Sequence, residues 1–194
     1  MQRSDSQGRP SEARSRLLGT AARLFYSEGI HAVGIDRIVA EAQVTRATLY
    51  RHFPGKEDLV LAYLAEADDT IRGLVGHTAD LPAADTLLAV GRSIAQGIRG
   101  EDFRGCAFLN AVAEYPDPAH PVHRAVLSHR QWFLEVVTDL MNRVGEGPAE
   151  PAARHFVMLR DGAMAAGCLY DPDLVCETFL RGVDGLLQAH AREA

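Results

Sequence analysis

Apolar side chains recur at three- and four-residue spacing along most of the chain, and this periodicity restricts the possible folds more than any other feature of the sequence. Between residues 11 and 28, the repeating positions are Leu17, Leu18, Ala21, Ala22, Leu24 and Phe25. Such spacing places them on one stripe of an amphipathic helix. No segment shows a sustained alternation of apolar and polar residues, so the sequence does not require β-strands. We predict an all-α fold of about nine helices.

Glycines, prolines and capping residues mark where the predicted helices begin and end. Gly29 follows the last periodic residue of the first helix, and Thr45 stands where the third helix needs an N-cap. The predicted helices span residues 11–28, 35–42, 46–52, 56–77, 82–98, 106–115, 122–144, 152–168 and 174–190. The 194 residues allow a small domain joined to a larger one. We predict a flexible polar arm over 1–10, a three-helix domain over 11–58 and a helical bundle over 59–194.

The net charge of −6 conceals an uneven distribution of charge along the chain. Residues 1–56 hold nine basic and five acidic side chains, whereas residues 61–194 have a net charge of −8. Basic charge is in excess in the first part of the chain and acidic charge in the rest. This distribution favours an anionic partner for the first part only.

Composition also restricts the compartment in which the protein works. The three cysteines, Cys106, Cys168 and Cys176, are far apart and without CxxC spacing, which indicates reduced thiols. No apolar run approaches the roughly 20 residues that cross a membrane, and the polar N-terminus lacks the apolar stretch of a signal peptide. We therefore expect a cytoplasmic protein without a membrane partner.

The two short helices over 35–42 and 46–52, joined by a tight turn and braced by an upstream helix, are typical of a DNA-reading unit. We predict that Val44, Leu49 and Phe53 anchor the second helix inwards. The outward residues are then Thr45, Arg46, Ala47, Thr48, Tyr50, Arg51 and His52. All of them except Ala47 are able to form a hydrogen bond with a phosphate or a base edge, and Ala47 suits a thymine methyl group.

Lys56 gives a separate indication of a phosphate contact. It is the only lysine of a chain that has nineteen arginines. It falls in the first turn of a predicted helix, where the helix dipole disfavours a cation. A phosphate at this helix start would be bound by the ammonium group and by the free backbone N–H groups.

Residues 14–60 resemble the N-terminal DNA-binding domain of TetR/AcrR-type transcriptional regulators. The matching residues are Leu17, Leu18, Ala21, Leu24, Phe25, Gly29, Ile35, Ile38, Val39, Ala42, Val44, Thr45, Thr48, Leu49, Tyr50, Phe53, Lys56, Glu57 and Leu59. The resemblance implies a double-stranded DNA operator as partner.

Roles in DNA binding follow from this resemblance for seven residues. Thr45 would cap the recognition helix and touch a phosphate, Arg46, Ala47 and Thr48 would face bases, and Tyr50, His52 and Lys56 would bind the backbone. Arg37 and Arg51 are weaker candidates. The chain departs from the family at Gln43, where a glycine is usual, and at Gly34 and Gly55, where serine or threonine is common. A positive φ at Gln43 would cost roughly 1 kcal/mol.

The resemblance also implies a homodimer, formed through residues 152–190, and a small-molecule effector of unknown identity bound within the C-terminal bundle. For the dimer we expect close helix approach at 162–167 and apolar area from Val175, Phe179, Val183, Leu186 and Leu187. The candidate pocket residues are Phe103, Cys106, Phe108, Asn110, Tyr115, Trp132, Phe133 and Met158. Among these we expect Asn110 to be a buried amide, which would need hydrogen-bond partners.

Other functions have less support in the sequence. Metal sensing by His120, His123, His129, His155 and Cys106 lacks ligand spacing, and a redox switch at Cys106 lacks a basic neighbour beyond Arg104. No Gly-rich phosphate loop, HExxH or GxSxG motif is present, so we expect no enzyme, no cofactor and no metal site.

We predict a repressor that a small ligand releases from a palindromic operator. The alternatives are an activator or a Cys106-based redox sensor of the same fold, or a ligand-binding helical protein without DNA function.

Overall fold

The structure is a computed structural model that describes residues 11–78 and 80–192. Over these two stretches the chain forms nine α-helices and no strand, which confirms the all-α prediction. The helices are α1 (Glu12–Glu28), α2 (Ile35–Glu41), α3 (Arg46–His52), α4 (Lys56–Gly76), α5 (Ala83–Ile98), α6 (Ala107–Glu114), α7 (Pro121–Asn142), α8 (Ala149–Ala166) and α9 (Pro172–Arg192). None of them is long and apolar enough to cross a membrane. The predicted arm over 1–10 lies outside the described residues.

Helices α8 and α9 begin more than one residue earlier in the structure than the sequence predicts. We expected starts at residues 152 and 174, whereas α8 begins at Ala149 and α9 at Pro172. Pro151 and Pro172 fall within the first turns of α8 and α9. Proline fits there because the first N–H groups of a helix have no intrahelical acceptor. Both predicted starts were placed after these prolines and were therefore too late.

The chain divides into two compact units, the first ending at Ala65 and the second beginning at Glu66. The first unit contains α1, α2, α3 and the first part of α4. Its core contains the fully buried side chains of Leu17, Leu24, Val33, Ile38, Leu49 and Leu59. Because α1 packs against both α2 and α3, it holds the two short helices in place. The predicted division into domains after residue 58 stays a prediction.

The second unit contains the rest of α4 together with α5 to α9. The helix pairs that pack most extensively are α7 with α8, α5 with α9, and α8 with α9. Its core includes Leu87, Ile98, Phe133, Met141, Phe156, Cys176 and Val183. The helices of this unit therefore surround one apolar core.

Candidate functional site

The turn between α2 and α3 has a strained residue. Gln43 has a φ of +53°, the one positive φ at a non-glycine residue in the described part of the chain. A side chain at such a φ crowds the backbone, which is why glycine is common there. The sequence analysis expected strain at Gln43 only if its φ were positive, and the structure has this positive φ.

The start of α3 is capped by Thr45, as predicted. Its hydroxyl accepts a hydrogen bond from the backbone N–H of Thr48 at 3.1 Å. This bond satisfies one of the N–H groups that a helix start leaves without an intrahelical acceptor. The hydroxyl groups of Thr45 and Thr48 also lie 2.9 Å apart.

One side of α3 is anchored in the core of the first unit. Leu49 and Phe53 are buried and Val44 is half-buried. The guanidinium of Arg14 lies over the Phe53 ring, 5.1 Å from its centroid. These contacts fix which side of α3 faces outwards.

The exposed side of α3 contains Arg46, Ala47, Tyr50 and Arg51. Tyr50 has half of its surface accessible, which is unusual for a large aromatic side chain. Arg51, a weaker candidate in the sequence, lies one helical turn from Ala47 on this same side. Thr48 and His52 are only partly exposed and lie at its edges.

Arg46 is held by an ion pair in the structure. Its Nε donates to Oδ1 of Asp36, a residue of α2, at 2.6 Å. Both side chains are largely exposed, and the carboxylate raises the pKa of Arg46. The pair is therefore weak, and Arg46 must exchange Asp36 for DNA in order to contact a base or a phosphate.

Arg37 belongs to an ion-pair network between α1 and α2. Its guanidinium donates to Glu28 at 2.7 Å and to Glu41 at 2.9 Å. Glu41 also accepts a hydrogen bond from Arg23. Because Arg37 already bridges two carboxylates, the geometry favours a role in holding the helices together.

The remaining two predicted backbone contacts lie at the ends of their helices. His52 is the last residue of α3, and its Nε2 lies 3.1 Å from the hydroxyl oxygen of Ser11, the N-cap of α1. Lys56 is the first residue of α4 and is partly exposed. Glu57 and Asp58 share its helical turn, where the helix dipole favours their charges.

The residues predicted to line the effector pocket differ widely in burial. Cys106, Phe108, Tyr115 and Phe133 are buried in the core, whereas Phe103 and Trp132 are half-buried. Three of these residues surround His129. Its ring stacks on that of Phe108, with the ring centroids 3.6 Å apart. The centroids of the Trp132 and Phe133 rings lie within 6.5 Å of that of His129.

Two members of the predicted pocket lie at the surface. The expectation that Asn110 is a buried amide is wrong: Asn110 is exposed, and its amide donates to the backbone oxygen of Arg104 at 2.8 Å. Met158 is 72% exposed and lies on the outer side of α8. Helical spacing alone did not indicate on which side of α6 and α8 these residues stand.

The histidines considered for metal sensing have separate structural roles. His120 caps α7, the ring of His123 hydrogen-bonds to the backbone oxygen of Tyr115 at 2.8 Å, and His129 donates to Asp68 at 2.6 Å. In the described stretches no three His, Cys, Asp or Glu side chains stand close enough to bind a metal ion together.

Cys106 has a basic neighbour that the sequence did not reveal. Nη2 of Arg160 donates to its sulfur at 3.4 Å. The two residues are 54 positions apart, so local sequence around Cys106 contains no sign of this contact.

An apolar face lies on the outer side of α8 and α9. A groove of about 530 Å³ along it is lined by His155, Met158, Leu159, Gly162, Ala163, Ala166, Tyr170, Leu174, Val175, Thr178 and Phe179. Leu174 and Tyr170 are more than half exposed, and a Cβ added to Gly162 would meet no atom within 4 Å.

Four of the residues expected to supply area between subunits pack inside the subunit instead. Val175, Phe179, Val183 and Leu187 are buried in the core of the second unit, and of the five only Leu186 remains partly exposed. The stripe predicted for dimer contact on α9 is therefore mostly its inward stripe.

A capped helix behind a tight turn, braced by two helices and exposing arginine and tyrosine, defines a helix-turn-helix DNA-binding protein. Comparison with known proteins gives the family. A profile of the bacterial regulatory proteins of the tetR family matches residues 17–63. The crystal structure of SCO4454, a TetR-family transcriptional regulator from Streptomyces coelicolor, is 68% identical, with a TM-score of 0.91 over 93% of this chain and 97% of that one.

Two curated relatives are also regulators. The HTH-type transcriptional regulator YjdC of Escherichia coli is 23% identical over 155 residues, which cover 78% of this chain and 81% of YjdC. The HTH-type transcriptional activator FasR of Mycolicibacterium smegmatis is 40% identical over 60 residues, 31% of this chain and 27% of FasR. The chain belongs to the TetR family of transcriptional regulators, and it is a DNA-binding regulator of transcription.

Proposed function

We propose that this regulator is a homodimeric repressor that binds a palindromic operator through α3 and is released by a small-molecule effector. The observation that supports this most directly is the exposed side of α3, where Arg46, Ala47, Tyr50 and Arg51 are presented together by a capped helix. The partners of such a protein are double-stranded DNA and a second copy of the chain, and the compartment is the cytoplasm.

We assign base contacts to Arg46, Ala47 and Thr48 at the N-terminal part of α3, which is the part of a recognition helix that enters the major groove. Tyr50, His52 and Lys56 bind the DNA backbone, and Thr45 caps the helix next to a phosphate. The exposure of Arg51 adds it as a further phosphate contact, since it stands on the same side of the helix as Ala47.

The apolar face of α8 and α9 supports the dimer. Exposed Met158, Tyr170 and Leu174 lie beside the open position at Gly162, where another helix has room to approach closely. A contiguous exposed apolar patch of this kind is typical of an interface. Two identical faces would meet around a two-fold axis, as a palindromic operator requires.

Release by an effector requires that the ligand binds one shape of the dimer more tightly than the other. The effector then lowers operator affinity by a factor that is set by the ratio of its affinities for the two shapes of the dimer. In this role the protein performs no chemical reaction.

Base preference and overall affinity separate the roles proposed for α3 from the role proposed for Lys56. Arg46→Ala and Thr48→Ala should change which bases are preferred in a selection from random DNA. Lys56→Ala should weaken binding evenly across sequences and reduce the salt slope by about one. Glu57→Gln, next to Lys56, is a control that should not reduce affinity. An equal loss at every sequence from Arg46→Ala would contradict its assignment to bases.

Repression itself is tested by transcription in vitro from a promoter containing the selected operator. Repression predicts that the purified protein reduces transcript yield. Increased yield would assign activation instead, the activity for which FasR is named.

A further inference from the structure

A cleft of about 150 Å³ opens between α4, α5, α7 and α8 of the second unit. It is lined by Ile71, Leu74, Val75, Thr78, Val90, Ser93, Ile94, Gly97, Phe133, Arg160 and Met164. Leu74, Ser93 and Gly97 are exposed and form its mouth, whereas Phe133 and Arg160 are each only 4% exposed and form its floor. The lining therefore combines mostly apolar side chains with one buried arginine, whose guanidinium lies 5.5 Å from the centroid of the Phe133 ring.

The positive charge at the floor is only partly compensated. In the described part of the chain, Arg160 makes two hydrogen bonds: Nη1 donates to Asp161 at 2.8 Å, and Nη2 donates to the Cys106 sulfur at 3.4 Å. A guanidinium has five N–H groups to donate. Asp161 in turn accepts two hydrogen bonds from Arg130. One carboxylate thus faces two guanidinium groups.

No other group lining the cleft offers a negative charge. Among the described residues that line it, none is Asp or Glu, and its other polar side chains are the hydroxyl groups of Thr78 and Ser93. Since a buried charge without full compensation is costly, an anion that reached Arg160 would be bound strongly for its size.

The walls restrict what else the anion contains. Ile71, Val75, Val90, Ile94 and Met164 offer only apolar surface. An apolar cavity of about 150 Å³ accommodates a molecule of benzene size. The cleft therefore fits one ring or one short branched chain with a single acidic group.

We propose that this cleft binds a small apolar carboxylic acid, with the carboxylate on the Arg160 guanidinium and the apolar part between α4 and α5. The inference names the chemical class of the effector and rests on the proposed function for its regulatory role. The site differs from the pocket predicted from the sequence, with which it shares only Phe133.

Titration calorimetry of the full chain tests the site with acids and their neutral amides as probes. Benzoate, 4-methylpentanoate and cyclohexanecarboxylate are each compared with the corresponding amide, which has nearly the same shape but no charge. At least one acid should bind about tenfold more tightly than its amide. If no acid binds more tightly than its amide, the proposal is wrong.

Arg160→Gln should reduce the affinity of the bound acid by about tenfold or more and leave its amide nearly unaffected. Arg154→Gln is the matched control, because it removes the same charge from the same helix at an exposed position outside the cleft. Unchanged acid binding by a folded Arg160→Gln protein would overturn the assignment.

A second variant keeps the test decisive if Arg160→Gln fails to fold. Gly97 lines the cleft, and a Cβ added to it meets no atom within 4 Å. Gly97→Leu should therefore fold and fill the mouth, abolishing acid binding. Gly73→Leu, at a similarly open helical position that does not line the cleft, should bind the acid as the natural protein does. Undiminished binding by Gly97→Leu would place the acid elsewhere and refute the proposal.

Operator binding by the protein without acid, measured in parallel, separates this proposal from the proposed function. Absence of operator binding would refute the regulator's proposed mechanism, whereas the calorimetry decides the cleft independently. An acid that binds in the cleft should also lower operator affinity; binding in the cleft with no change in operator affinity would overturn its role as effector.

Discussion

Gln43 has a backbone conformation that its amino acid type disfavours. Its φ of +53° is one that glycine adopts without steric cost. We expect Gln43→Gly to raise the free energy of unfolding by about 0.5 kcal/mol, because the greater freedom of glycine in the unfolded chain offsets part of the strain that is relieved. Urea unfolding at a fixed protein concentration measures this change. Gln43→Ala removes the same side chain but retains a Cβ, so it should give no such gain; equal stability of the two variants would contradict the strain.

Local chemistry explains why some residues of the site were predictable and others were not. The cap at Thr45 and the strain at Gln43 depend on neighbours within a few positions, and both followed from the sequence. The partner of Arg46 stands ten positions away on another helix, and that of Cys106 is 54 positions away. Such contacts depend on how helices pack, which spacing along one helix does not indicate.

In the proposed DNA complex, the ion pair between Arg46 and Asp36 would compete with DNA for the same guanidinium. Asp36→Asn weakens that competition, so operator affinity should rise by about two- to fivefold at low salt. Fluorescence anisotropy with a labelled operator measures the rise. Glu12→Gln, which removes the same charge from an exposed position on α1, controls for the general loss of negative charge. A rise of the same size in both variants would mean that the pair with Asp36 does not restrain Arg46.

His129 makes the stability of the second unit depend on pH. Burial lowers its pKa below the usual 6.5, an effect that the guanidinium groups of Arg160 and Arg130 reinforce and that the Asp68 carboxylate only partly opposes. The unfolded chain thus binds a proton at a higher pH than the folded one, and stability falls as pH decreases through about 6.5.

Urea unfolding at several pH values between about 7.5 and 5.5 tests this dependence on His129. His129→Gln should flatten the decline in stability over this range. The control is His77→Gln, at an exposed histidine, which should retain the slope of the natural protein. If His129→Gln loses stability towards acid as steeply as the natural protein, another group is responsible.

At the scale of helices, periodicity predicted the existence of every element but not which side of a helix meets which neighbour. All nine helices of the described stretches were expected, and their ends differ most at α8 and α9, where prolines belong to the first turn. Helix α9 has apolar residues on two sides, one buried in the core and one exposed with Leu174. The family resemblance assigned one apolar stripe of α9 to the dimer, although most of that stripe packs inside the subunit.

The exposed sides of α8 and α9 give the prediction for the dimer. Leu174→Glu places one charge from each subunit in the proposed interface, because the two faces are related by a two-fold axis. Burying these charges without partners should weaken dimerisation by at least about tenfold. Sedimentation at several protein concentrations measures the dissociation constant. Leu127→Glu changes a similarly exposed leucine of α7, outside the groove, and should leave the dimer intact; dissociation of both variants alike would point away from α8 and α9.

At the scale of the whole molecule, charge and symmetry together determine how the regulator meets an operator. The excess of basic side chains lies before residue 57, whereas the remainder of the chain is acidic. A polyanion is therefore attracted by the α3 region and repelled by the rest, which favours binding by the two α3 helices of a dimer at once. The two-fold symmetry of the proposed dimer then requires two half-sites that face the same side of the duplex, about 34 Å apart.

An operator of altered spacing tests this arrangement. Inserting about five base pairs between the half-sites turns one of them to the opposite side of the duplex. Affinity should then fall by about tenfold or more, to that of a single half-site, because only one α3 of the dimer remains in contact. Gel-shift titrations of the natural, lengthened and single half-site duplexes measure this. Replacing the central base pairs without changing their number controls for sequence, and it should cost much less. Equal affinity for the natural and lengthened operators would mean that the two α3 helices bind independently, in which case a fixed dimer would not be the form that reads DNA.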